Sequence, residues 1–112
     1  MKPQDIPLFE HWYKTNNWIL DRCEKYPKHT RFTVSSRICA ISLEIIEAIV
    51  QCVYTREKRP HLESINLRLE TLRIMFRLSH DRRYISGDQY EFISKAINET
   101  GRMVGGWLKS LT

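Results

Sequence analysis

Apolar residues recur along this chain at alternating steps of three and four, in four blocks separated by short polar breaks, which is the periodicity of amphipathic helices. The last block is the clearest: Tyr90, Ile93, Ile97, Thr100, Val104, Trp107 and Leu111 form one seam. The first, Leu8, Phe9, Trp12, Ile19, Leu20 and Cys23, begins after Pro7 and is stopped by Pro27, as proline's missing N–H dictates. The second has a core stripe of Val34, Ile38, Ile41, Ile45, Ala48, Ile49 and Cys52, and the third a seam of Leu62, Ile65, Leu69, Leu72 and Phe76. Helices are therefore predicted over about 6–25, 34–55, 61–80 and 88–110. Thr33 or Ser35 is expected to cap the second, Pro60 to begin the third, and Ser86 or Asp88 to cap the fourth. Connections of about five to eight residues make successive helices antiparallel neighbours. The fold class is all-α, an up-down-up-down four-helix bundle forming a single domain over residues 5–112.

A second set of apolar positions exceeds what one bundle can cover. Cys39, Leu43, Ile46, Val50 and Val53 form a further stripe on the second helix. Leu67, Ile74 and Leu78 lie about 180° from the seam of the third, and Phe92, Ala96, Met103 and Trp107 flank the seam of the fourth. The surplus predicts a homo-oligomer with Leu67, Ile74, Leu78, Phe92, Met103 and Trp107 at the protomer interface. Gly101, Gly105 and Gly106 suggest either close approach of another backbone or a fraying helix end. Trp18 lies across the first helix from its apolar face, placed either to pack under lysine stems or to contact a partner or base.

Composition narrows the function. With 18 Lys+Arg against 13 Asp+Glu the net charge is +5, which favours an anionic partner. Three cysteines, odd in number and each within a helical pattern, read as small core residues of a reducing compartment. The start MKPQDIPLFEHWY lacks an apolar leader, and no stretch has the roughly 18 apolar residues of a membrane span. A soluble cytoplasmic protein without a membrane partner is expected.

Catalytic chemistry finds no support. His11, His29, His61 and His80 share no ligand spacing with one another or with the cysteines, so no metal is expected. Glu44 and Glu47 are ordinary exposed helix surface, the three glycines are intrahelical, and His80-Asp81 resembles a phosphohydrolase dipeptide without its other ligands. No enzyme and no cofactor is inferred.

Basic surface remains. Lys28, Arg31 and Arg37 cluster about the first connector; Arg68, Arg73, Arg77, Arg82 and Arg83 load the third helix and its end; Lys95, Arg102 and Lys109 repeat every seven residues on the fourth. Antiparallel topology places Lys28 and Arg31 at the same end as Arg82 and Arg83. Some arginines have carboxylates within reach, in Glu63, Glu70 and Asp21.

Three runs, YPKHTRFTVSSRI, NLRLETLRIMFRLSHDRRYISGDQYEF and GRMVGGWLKS, resemble the accessory variability determinant protein of diversity-generating retroelements, across nearly the whole chain. The four-helix proteins encoded in intervening sequences of 23S ribosomal RNA share the YPK-xx-RF entry, but RICAISLEIIEAIV lacks their second-helix signature. The resemblance implies a pentameric barrel of four-helix bundles, without catalytic activity, that binds the element's reverse transcriptase and nucleic acid and supports mutagenic copying of template RNA into cDNA. On matching motifs it implicates Lys28, Arg31, Arg37, Arg68, Arg73, Arg77, Arg102 and Lys109. It also leaves Gly101, Gly105 and Trp107 to packing. The alternative is a structural oligomer of the intervening-sequence type whose charge serves solubility.

Overall fold

A computed structural model describing all 112 residues has four long helices: α1 (Pro7–Glu24), α2 (Val34–Tyr54), α3 (Lys58–Asp81) and α4 (Gly87–Ser110). They pack in a closed ring, α1 on α2, α2 on α3, α3 on α4 and α4 back on α1, with the diagonal pairs of helix backbones farther apart. The result is a four-helix bundle about one long axis, 43 × 22 × 21 Å.

The expected seams form the core, except that Leu111 lies beyond the end of α4 and is exposed. Trp12, Ile19, Ile38, Ile45, Ile49, Leu62, Ile65, Leu69, Leu72, Phe76, Ile93, Ile97 and Val104 are all buried. Burial of such side chains stabilises by roughly 1.5–3 kcal/mol each before entropy is counted. Within this core the Trp12 indole N–H donates to the Ser42 carbonyl of α2 at 3.0 Å. The buried hydroxyls of Thr15, Ser42, Ser79 and Thr100 each return to a carbonyl of their own helix. Only Asn16 Oδ1 and the Tyr26 hydroxyl are buried without a partner, and burial pushes the Tyr26 phenol up to about 12.

Helix ends depart from expectation in two places. α3 starts at Lys58, so Pro60 lies inside its first turn rather than beginning it. The Lys58 ammonium reaches back to the carbonyls of Cys52 and Thr55 at 2.8 and 2.9 Å, satisfying acceptors at the end of α2. At the start of α2, Thr33 holds the cap position without a side-chain cap bond. Its hydroxyl turns to Thr30 O, and that of Ser35 to Cys23 O at 3.3 Å. α4 does begin on a Ser86 cap, with a reciprocal bond from Gln89.

The second apolar stripes stay partly uncovered. Leu67, Ile74 and Leu78 are 69%, 57% and 40% exposed, and Cys39, Leu43, Ile46, Val50 and Val53 of α2 are all half-buried or exposed. Met103 and Trp107 differ: they pack partly buried against the chain's own core. α4 runs unbroken through its glycines to Ser110. A Cβ at Gly105 or Gly106 would meet nothing within 4 Å, and at Gly101 only the Arg73 guanidinium at 3.5 Å. No backbone of this chain approaches them. No helix is long and apolar enough to cross a membrane.

Candidate nucleic-acid interface

One end of the bundle is built from the α1–α2 connector and the α3–α4 turn. Pro27 ends the first helix pattern, and Lys28–Thr30 makes a single 3-10 turn, sealed by Thr30 Oγ1 donating to Pro27 O at 2.8 Å. On the opposing turn, Arg83 adopts φ 63°. Its N–H donates to His80 O at 3.0 Å, and that of Tyr84 to Ser79 O at 2.8 Å. These are the two bonds of a helix C-terminal motif that usually places glycine at the left-handed position.

Tyr84 joins the two segments. Its ring lies 5.5 Å from Tyr26 and 6.0 Å from His29, and its hydroxyl is 3.4 Å from His29 Nε2. Arg82 Nε donates to the same hydroxyl at 2.9 Å, which favours the protonated guanidinium, and the guanidinium also sits 5.8 Å from the Tyr84 ring. Tyr84 thereby brings the connector that bears Lys28 and Arg31 against the turn that bears Arg82 and Arg83, as the antiparallel topology requires. Lys28 and Arg31 line a cleft of about 600 Å³ with Ser35, Cys23 and Cys39. The Cys39 thiol is lowered by its neighbour Cys23, whose own proton is held more tightly by that contact and by burial.

The remaining basic residues divide by partner. Lys28, Arg31, Arg37, Arg77, Arg82, Arg83 and Lys109 form no ion pair, whereas Arg68 meets Glu44 at 3.6 Å, Arg73 meets Glu70 at 2.7 Å and Arg102 meets Glu99 at 3.0 Å. Arg68 also bonds Ser64, and Arg73 Nε donates to Asn98 of α4 at 3.3 Å. Glu44 was not among the carboxylates the spacing suggested, and neither Glu63 nor Asp21 takes an arginine. Arg73 and Arg68 tie α3 to its neighbours, and all these pairs are exposed enough to contribute little to stability.

Nothing in the helical periodicity marks Phe32. It follows Arg31 and is 89% exposed, an apolar ring set among cations. The only signal for it was its place in a connector rather than on a buried stripe. Trp18 is half-buried, its ring 5.0 Å from Phe92 of α4. No group of three or more His, Cys, Asp or Glu side chains is placed to hold a metal ion.

A family model described as bAvd-like matches residues 8–111. The chain belongs to the bAvd-like family. These accessory variability determinants are non-catalytic proteins of diversity-generating retroelements, and the chain is accordingly an accessory protein rather than an enzyme. The match spans every residue of the basic end and all four helices. A search of curated proteins finds no match. The bAvd-like family implies partnership with reverse transcriptase and nucleic acid.

Proposed function

We propose that this bAvd-like chain binds its element's reverse transcriptase and nucleic acid, template RNA or cDNA, through basic surface, supporting mutagenic reverse transcription in the cytoplasm. The observation that carries the reading is the bundle end where Tyr84 joins Arg82 to His29, because it gathers cations without ion pairs from both segments, and the connector also carries the exposed Phe32 ring next in sequence to Arg31. Cations alternating with aromatic faces suit a phosphate backbone with unstacked bases. Lys28, Arg31, Arg82 and Arg83 form the primary contact, with Arg37 and Arg77 extending it, while Lys109, near the end of α4, offers a separate contact at the opposite end of the bundle. Arg68, Arg73 and Arg102 contribute only by exchanging their carboxylate partners for phosphate.

The exposed Leu67, Ile74 and Leu78 support a homo-oligomer, a pentamer by family resemblance, with Met103 and Trp107 contributing the flank left uncovered by their own core. Repeating the basic end around such a ring converts weak contacts into useful affinity.

The test is reconstitution with the element's reverse transcriptase and template RNA. cDNA synthesis is expected to require this chain, and Arg82→Glu with Arg83→Glu to reduce both transcriptase capture and product. Full activity of that variant would overturn the reading.

A further inference from the structure

A second concave surface lies away from the basic end, between α1 and α4, which meet over a shorter stretch than the other neighbouring helices. It is a groove of about 740 Å³. Its floor is fixed by His11, whose Nε2–H donates to the Ala96 carbonyl at 3.1 Å across the helix pair; a carbonyl only accepts, so this sets the tautomer. Thr15 is held to the same turn, its hydroxyl donating to His11 O at 2.9 Å.

One wall is Phe92, 51% exposed and backed by the Trp18 ring at 5.0 Å with 36° between planes. Contact with a second aromatic restricts the ring that lines the groove. The rim is cationic: Lys14, Lys95 and Arg102 line it against one carboxylate, Glu99. Lys14 has no ion pair, while Lys95 and Arg102 pair only with exposed carboxylates of their own helix, Glu91 at 2.9 Å and Glu99 at 3.0 Å. Such intrahelical pairs are weak and leave the cations free to meet a phosphate.

We infer that the α1–α4 groove binds single-stranded nucleic acid, stacking one unpaired base on Phe92 while Lys14, Lys95 and Arg102 receive the flanking phosphates. A duplex keeps its bases stacked on one another and offers Phe92 no face, so the groove selects unpaired strand. Three cations against one carboxylate at the rim favour an anionic occupant over a second copy of this chain, whose net charge is +5. Phe92 is thereby assigned to the groove rather than to the protomer interface. The inference rests on the nucleic-acid reading above but shares only Arg102 with it, and Phe92 and Lys14 belong to the groove alone, so variants at those two test it apart from the basic end.

The experiment is fluorescence anisotropy of a labelled single-stranded oligoadenylate and of a duplex RNA of equal length, with full-length protein at fixed salt. Phe92→Leu keeps the apolar bulk and removes the ring face; it is expected to weaken single-strand binding about tenfold, within the range of lost base–aromatic stacking, and to leave duplex binding unchanged. Phe92→Trp is expected to restore it. Lys14→Glu should flatten the salt dependence for the single strand by about 0.7 or more in log–log slope. Unchanged single-strand affinity in Phe92→Leu, with Arg82→Glu/Arg83→Glu still weakened, overturns the groove and leaves the basic-end reading standing; no effect of either overturns both. A change of particle mass in Phe92→Leu places the residue between protomers, and full displacement of the oligonucleotide by polyglutamate shows a charge-only site. Either result overturns the inference.

Discussion

The ring of Tyr84 lies 5.5 Å from that of Tyr26, with 48° between their planes, so the α3–α4 turn is stacked on the end of α1 and the two basic segments share one surface. Tyr84→Ala removes this packing along with both hydroxyl contacts and is expected to cost about 2 kcal/mol, aromatic pairs and lost apolar area contributing together. Tyr84→Phe keeps the ring and is expected to cost under about 1 kcal/mol, because the hydroxyl's partners are exposed. Urea unfolding of the two variants checks this; equal losses would shift the role from the ring to the hydroxyl.

Arg83 occupies a backbone conformation that disfavours residues with a Cβ. Left-handed backbone costs roughly 1–2 kcal/mol, and glycine's larger unfolded-state entropy offsets part of the relief. Arg83→Gly is therefore expected to stabilise the fold by about 0.5 kcal/mol while weakening RNA binding. A thermal melt beside a binding titration separates the two effects. Loss of both stability and binding would mean that the side chain supports the turn.

Leu67 and Ile74 face away from the bundle. Leu67→Glu or Ile74→Glu is expected to dissociate the proposed homo-oligomer with helicity nearly unchanged, since neither contributes to the buried core. Light scattering at high salt with circular dichroism reads both. Unfolding would place these side chains in structural contacts within the chain.

Cys39 and Cys23 make a thiol pair in which only Cys39 is partly exposed. Because Cys23 beside it holds the Cys39 thiol below its ordinary range, its thiolate forms at lower pH than that of a free cysteine. Iodoacetamide labelling of Cys39 is expected to have its midpoint below that of a free thiol. Cys23 and Cys52, both buried and both shifted upward, should label slowly in the native protein. Cys23→Ala should move the Cys39 midpoint upward.

The four helices and their buried seams were legible because each seam keeps a helical period over most of its helix, and Ile93, Ile97, Thr100 and Val104 are buried as that period requires. The start of α3 was misplaced because Lys58 and Arg59 carry no apolar signal; what recruits them is the Lys58 ammonium on the α2 carbonyls, a contact between segments that no periodicity encodes. Arg82 and Arg83 were placed correctly from topology alone. Phe32 was not, since exposure of an aromatic depends on how the connector folds, and the stacking of Trp18 on Phe92 depends on the rotation of α1 against α4. Charge was readable as an amount but not as a pattern of pairing, so Arg68 and Glu44 found each other across helices unforeseen.

The most direct measurement is the RNA affinity of wild type and Arg82→Glu/Arg83→Glu across a salt series. A basic-end interface predicts log affinity falling linearly with log salt, and a variant that binds more weakly with a slope shallower by about 1.4, two lost contacts at about 0.7 each for a single strand. Affinity indifferent to salt, or the same slope and strength in both proteins, would contradict an interface at this end and favour a scaffolding oligomer whose charge serves solubility.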